Sequence, residues 1–395
     1  MSNLHQLLKG MVDRGASDLH IKAGDVFRAR INGDLVPLTR QALTPEQTRA
    51  IALHLMHNED DKARIDKILD YDCSWAAAGI GRFRVNIMRQ RGSFSIIMRV
   101  IPWEIPTFEK LGLPAVMAKI AEAERGMVLV TGVTGSGKSS TMAALIDYIN
   151  QRESGHIITL ENPIEFLHKD KSCSVTQREI GSDTEDFKMG LRAALRQDPD
   201  VIMIGELRDA ETIDTAMKAA ETGHVLMSTL HTPDASSTIM RMMAMFPPEE
   251  QDVVRIRLAE SLTAVISQRL LPKRDGKGRA VAAEIMINTP SIRDLIAEGS
   301  RIGEIKDFIE EGREQYGMQT FDQCLADLVA RGDVTFDVAK AAASNPSDFE
   351  LKMRMFSNTP SEGIVTSAET PPEGTGTPSG QLEGIQAGGL DFLGQ

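Results

Sequence analysis

A chain of 395 residues, 42% hydrophobic and 25% charged, has material for two folded domains and additional segments. Its net charge of −12 excludes a broadly basic nucleic-acid surface. Its three scattered cysteines, Cys73, Cys173 and Cys324, form no C-x-x-C pair, which excludes a disulfide framework and a structural zinc site.

In chain order, residues 1–100 read as one small mixed domain. Leu4, Leu7, Leu8, Met11 and Val12 recur at helical spacing over Leu4–Arg14. Phe27–Ile31 alternates with period two, and Asn32-Gly33 makes a hairpin turn before Leu35-Val36. Thr44-Pro45-Glu46-Gln47 opens a helix, with Thr44 as cap, Pro45 at the first position and Gln47 closing a capping box. Arg82–Ile87 and Ser95–Val100 form a strand pair joined at Arg91-Gly92-Ser93.

The proline-bearing stretch Ile101–Pro106 is a hinge, because residues before proline avoid helix, and the linker is placed at 101–113. Beyond it, over 114–355, strands alternate with helices, which implies a mostly parallel sheet. The strand candidates are 127–131, 156–160, 201–204 and 224–230. The apolar spacing from Glu249 to Arg269 is helical, and a largely helical stretch follows to about 355. Residues 356–395 are acidic and rich in Pro, Gly, Ser and Thr. That composition buries too little apolar surface to fold alone, so the segment is expected to be a disordered tail. No stretch approaches the roughly 18 apolar residues that cross a bilayer, so no direct membrane insertion is expected.

Gly132-Val-Thr-Gly-Ser-Gly-Lys138-Ser139-Ser140 matches G-x-x-x-x-G-K-[ST], after an apolar strand and before a helix. The glycines turn backbone N–H groups onto phosphate oxygens, Lys138 reaches the β- and γ-phosphates, and the Ser139 hydroxyl holds Mg²⁺. A glycine-rich surface turn is the competing reading, but it needs neither flanking element. The nucleotide-binding set is therefore Gly132, Thr134, Gly135, Ser136, Gly137, Lys138, Ser139 and Ser140. Glu161 and Glu165 follow the strand at 156–160, where a carboxylate can orient or deprotonate water, and spacing alone does not separate them. Val201–Ile204 ends in Gly205-Glu206, so Glu206 takes the acidic metal-holding position one residue beyond the usual aspartate. His231 ends the next strand, either as a γ-phosphate sensor or as an ordinary polar residue. Arg82, Arg84, Arg89, Arg91 and Arg99 crowd one hairpin, which is either a solvated face or a source of arginine for phosphoryl transfer across an interface.

Together and in this order, over about residues 1–355, these motifs resemble the type IV pilus retraction ATPase family of secretion ATPases. Ser17–Ile21, Gly81–Asn86 and Ile266–Leu270 also match its pattern. The resemblance implies an α/β chain: an N-terminal PAS-like α+β domain, then a RecA-like P-loop ATPase domain. It implies a homo-hexameric motor using ATP and Mg²⁺ to retract pili in twitching motility. In that motor Glu165 is the general base, Glu206 the metal-side glutamate (with Ser139), and His231, less closely His224, the His-box histidine. Arg84 and Arg99 are the arginines brought to nucleotide.

The implied partners are an inner-membrane pilus platform protein and a paralogous retraction ATPase, with no nucleic acid. The implied location is cytoplasmic, peripheral to the inner membrane. Two departures stand out. Asn162 replaces the usual aspartate, and Ser291-Ile-Arg-Asp-Leu-Ile-Ala-Glu298 only partly matches the motif tied to retraction. They point to an accessory paralogue, or to a low-turnover nucleotide-binding regulator. Pilus-assembly and type II secretion ATPases, the rival within the class, carry a tetracysteine zinc insert absent here.

Overall fold

The computed structural model describes residues 2–31, 33–102 and 104–357. Residues Met1–Phe349 form one compact unit, and a second unit begins at Glu350. The expected tail, apart from its first two residues, and the apolar Leu390–Leu393 lie outside the described residues.

The first unit contains two sheets. The N-terminal one is built from β1 (Asp18–Lys22), β2 (Arg28–Ile31), β3 (Asp34–Pro37), β4 (Asp70–Ala77), β5 (Gly81–Gln90) and β6 (Ser93–Ile101). Its order is β3-β2-β1-β6-β5-β4, and every neighbouring pair is antiparallel. β5 shows why one face is covered and the other open. Phe83, Val85 and Ile87 are buried with Leu8, Met11, Ala52 and Leu55 of the helices Ser2–Val12 and Pro45–Leu55, while Arg82, Arg84 and Asn86 alternate to the opposite face. The β5–β6 turn is the two-residue kind that needs positive φ, with Arg91 at 49° and Gly92 at 77°. The capping box of Thr44 and Gln47 is formed as the sequence implies, with Pro45 in the first turn.

The second sheet contains β7 (Gly126–Thr131), β8 (His156–Glu161), β9 (Ser174–Glu179), β10 (Val201–Ile204), β11 (Val225–Leu230), β12 (Leu262–Pro272) and β13 (Arg279–Ile287). The order is β13-β12-β7-β11-β10-β8-β9, parallel throughout except for β13 on the edge. Successive residues of β7 enter two different cores, Met127 and Leu129 on one face and Val128 and Val130 on the other, so helices cover the sheet on both sides. All four expected core strands are present.

Two expectations need correction. The helix read over Glu249–Arg269 stops at Ser261, and Leu262–Pro272 is β12. The largely helical stretch to about 355 contains β13. β12 lies between β7 and β13 and is buried on both faces, so its apolar residues run on rather than alternate, a pattern that fits helix and buried strand alike. Within 101–113, Ile101 still belongs to β6, and Phe108 begins a short helix and stacks on Tyr148 at 5.3 Å.

Candidate active site

Three glycines shape the loop after β7. Gly132 has φ +140°, and a Cβ there would lie 2.5 Å from the Gln268 carbonyl oxygen and 2.6 Å from Ser136 Oγ, so no larger residue fits. Gly135 and Gly137 are left-handed, at φ 79° and 94°. The helix Lys138–Arg152 then starts with no side chain capping it, so its first-turn amides point to an open end. Ser136 is buried and its Oγ has no partner. Lys138 Nζ, also buried, donates to the carbonyls of its own loop, Gly132 at 2.7 Å and Val133 at 3.1 Å. Burial holds its pKa below the usual lysine range, opposed by the charges of Glu165 and Glu206. Exposed amides, an unpartnered hydroxyl and a desolvated ammonium form a donor-rich pocket suited to a polyanion. Thr134 is exposed at the loop tip, and Ser139 and Ser140 are half-buried in the first helical turn.

Glu206, His231 and Lys138 lie in sequence around this loop. Lys138 Nζ is 3.5 Å from His231 Nδ1, and His231 Nε2 is 3.9 Å from Glu206 Oε2. The other Glu206 oxygen pairs with Arg208. β11 pins the tip that carries Glu206: Ser228 Oγ donates to the Ile204 carbonyl at 2.8 Å and Thr229 Oγ1 to that of Gly205 at 2.6 Å. At Gly205 a Cβ would sit tightly against the Leu160 carbonyl at 3.3 Å and Phe187 at 3.4 Å.

The two acids after β8 differ sharply. Glu161 is buried and its carboxylate is fully engaged, accepting from Thr159 Oγ1 at 2.7 Å, Gln177 Nε2 at 2.9 Å and the Glu165 amide at 3.3 Å. Burial pushes its pKa up. Glu165 is exposed, and its charge is the larger of the two supporting Lys138. Glu161 therefore suspends the loop, and Glu165 is the acid open to water. Gln177 extends the suspension, donating to the Phe166 carbonyl at 2.9 Å and accepting from the His168 amide at 2.8 Å.

Arg84 and Arg99 are cross-strand neighbours on the open face of the N-terminal sheet. Arg99 is 67% exposed and pairs with Asp18 at 2.8 Å. Arg84 lines a cleft of about 440 Å³ together with Asn162, Pro163 and Glu179. Among the described residues, neither arginine bonds to the glycine loop of its own chain. His224 sits at the opposite end of β11 from His231, where Nδ1 bonds the Ala219 carbonyl at 3.0 Å, so it lies away from this constellation. In the helix Pro290–Glu298, Ile292, Leu295 and Ile296 are buried, leaving Arg293, Asp294 and Glu298 on the surface. Sequence reasoning passed over Gln177, Glu179 and Arg208. Arg208 alone carried a local signal, two residues from Glu206.

Among the described residues no group of three or more His, Cys, Asp or Glu could cage a metal.

Behind the site, Glu284 of β13 accepts the Ala235 amide at 2.9 Å, fixing the helix that follows the His231 segment. Burial raises its pKa to about 7. The Ala235 hydrogen bond opposes that shift, Asp234 adds to it, and Arg269 and Lys306 counter it. Between about pH 4.5 and 7 the folded chain keeps a proton that the unfolded chain has lost, so this group removes stability as pH rises, on the order of 3 kcal/mol in total. Glu284→Gln keeps the acceptor and removes the titration. Its Tm should match the parent near pH 4 and exceed it increasingly up to pH 7. A constant difference across that range would rule out this origin.

The sequence matches the type II/IV secretion system protein family over residues 1–336. It is 42% identical over 361 residues to the type IV pilus ATPase PilU of Pseudomonas aeruginosa, covering 91% of this chain and 93% of that one. It is 44% identical over 347 residues to the type IV pilus retraction ATPase PilT of the same organism, covering 88% and 100%. The fold superimposes with a TM-score of 0.81 on the crystal structure of the pilus retraction motor PilT with bound ADP, at 44% identity, covering 88% of this chain and 99% of that one. The chain belongs to the type II/IV secretion system protein family and, within it, to the type IV pilus retraction ATPases.

Proposed function

We propose that this chain is a motor that hydrolyses ATP to drive pilus retraction, and with it twitching motility. The observation that carries the reading is the convergence of Lys138, Glu165, Glu206 and His231 on one glycine loop. The relatives named for pilus retraction, and the ADP in the similar crystal structure, support it. The loop amides and Lys138 take the β- and γ-phosphates, and Glu165 orients the attacking water and accepts its proton. Ser139 and Glu206 would hold Mg²⁺, which offsets phosphate charge when bound. His231, between Lys138 and Glu206, reports γ-phosphate occupancy to both.

Arg84 and Arg99 stand on an open, cationic sheet face with no nucleotide loop of its own. Their use in catalysis needs that face brought to a nucleotide seam, as in a homo-hexamer whose domains turn about the segment near 102–107. Among the described residues no helix is long and apolar enough to cross a membrane. Work on the pilus is therefore assigned to docking at an inner-membrane platform protein from the cytoplasmic side, alongside a paralogous retraction ATPase. Similar identity to PilU and PilT leaves room for an accessory role, which is where Asn162 and the altered 291–298 stretch point.

Deletion of the gene should leave surface pili in place or in excess and abolish twitching, with rescue by the parent and not by Lys138→Ala. Loss of pili would identify an assembly motor instead. Sedimentation with ATP and Mg²⁺ should give a particle of about six times the 43.3 kDa chain.

A further inference from the structure

Among the described residues, the ion pair that joins the two sheets is Arg82–Glu179. Arg82 projects from β5, where its Nη2 donates to Ser74 Oγ on β4 and to Glu179 Oε2 at 3.1 Å. Glu179 ends β9, and its side chain is only 4% exposed. The same Oε2 accepts the backbone N–H of Ile164 at 3.2 Å. In register beside Glu179 stands Glu161, whose carboxylate accepts the next amide, that of Glu165. Two adjacent strand-end carboxylates thus hold two consecutive amides of the loop that presents Glu165. One of the two takes its countercharge from the other sheet, 97 residues away in sequence.

We propose that Arg82 is a positioning residue for ATP hydrolysis: through Glu179 and the Ile164 amide it sets the backbone of Glu165, so the placement of the N-terminal sheet governs the acid that directs water. The proposal rests on the reading of Glu165 as that acid. Burial makes the link tight, because Glu179 is only 4% exposed and without Arg82 loses its countercharge, so its carboxylate turns toward the cleft it lines. That turn releases or moves the Ile164 amide, and a misplacement of about 1 Å at a reacting group costs about 100-fold in rate. The guanidinium is also used sparingly. One nitrogen serves both acceptors, while Nε is buried without a partner.

The test compares full-length parent, Arg82→Met, Arg82→Lys, Glu165→Gln and Arg82→Met with Glu165→Gln, reading phosphate release over a range of Mg-ATP concentrations, with Tm for each protein. Arg82→Met should lower kcat by about 10- to 100-fold and leave KM for ATP within about threefold, because the phosphate loop is untouched. Arg82→Lys should recover part of that loss. In the Glu165→Gln background, Arg82→Met should cost nothing further. Parental kcat in Arg82→Met beside a crippled Glu165→Gln overturns the proposal and leaves the reading of Glu165 standing. So does an equal loss in both backgrounds, which marks Arg82 as acting elsewhere. Parental kcat in Glu165→Gln removes that reading itself and this proposal with it. If Arg82→Met does not fold, Arg82→Gln, which keeps an N–H donor but not the charge and leaves Glu179 free to accept the Ile164 amide, takes its place, and parental kcat there overturns the link.

Discussion

Lys138→Ala is expected to lower kcat/KM for ATP by about 10³-fold or more while leaving Tm at or near the parental value. Both halves follow from the same geometry. The ammonium is buried, and its desolvation is met by two carbonyls of its own loop, by His231 Nδ1 at 3.5 Å and by the charges of Glu165 and Glu206. Removing it therefore relieves a burial cost as well as losing two hydrogen bonds, so the fold has little to lose. Hydrolysis has much to lose. A fixed donor in a dry site is worth several kcal/mol against the charge that develops on the transferring phosphoryl group, and no other described cation contacts the loop carbonyls. Phosphate release by the purified protein reads the first half and thermal denaturation the second. Full activity would remove the assignment of the glycine loop as the catalytic nucleotide site. A large drop in Tm would show that Lys138 serves the fold.

Glu165→Gln should reduce kcat by about 10²- to 10³-fold with KM for ATP changed little. The side chain is exposed and engages no phosphate-binding amide, so its amide isostere leaves the nucleotide pocket intact and removes only the proton acceptor. Glu161→Gln is the informative contrast. That carboxylate is turned onto Thr159, Gln177 and the Glu165 amide and not toward water, and the neutral isostere keeps an oxygen for the Glu165 amide, so it should lose less kcat than Glu165→Gln. Equal losses in the two variants would mean that the loop as a whole, and not Glu165 within it, supplies the rate. A loss confined to Glu161→Gln would exchange their roles.

Much of the site was legible because its chemistry is local. The glycine loop needs only consecutive residues between a strand and a helix, so Gly132, Gly137 and Lys138 announce themselves. The acid at the end of β10 shows because a run of four buried residues, Val201–Ile204, ends abruptly in Gly205-Glu206. The choice between Glu161 and Glu165 was not legible. Only three residues lie between Glu161, the last residue of β8, and Glu165 in the loop after it, and their different burial depends on Gln177 and Thr159. Nor was the pairing of β12 with β7, since an apolar run flanked by sheet on both sides has no period of its own.

The amino-acid order alone settles what depends on neighbours a few residues apart: the phosphate cradle, the Thr44 capping box, the Arg91-Gly92 turn and the four core strands that feed the loops. In each, sterics or a local hydrogen bond selects the conformation before anything distant is in place. Tertiary structure decides what depends on charges meeting across the chain. It buries Glu161 while exposing Glu165, moves His224 away from His231, and sets Arg82 against Glu179 under the Ile164 amide. The physical reason is burial. Removal from water determines whether a carboxylate is a support, a base or an anchor for a distant cation, and only the folded chain determines which groups lose their water.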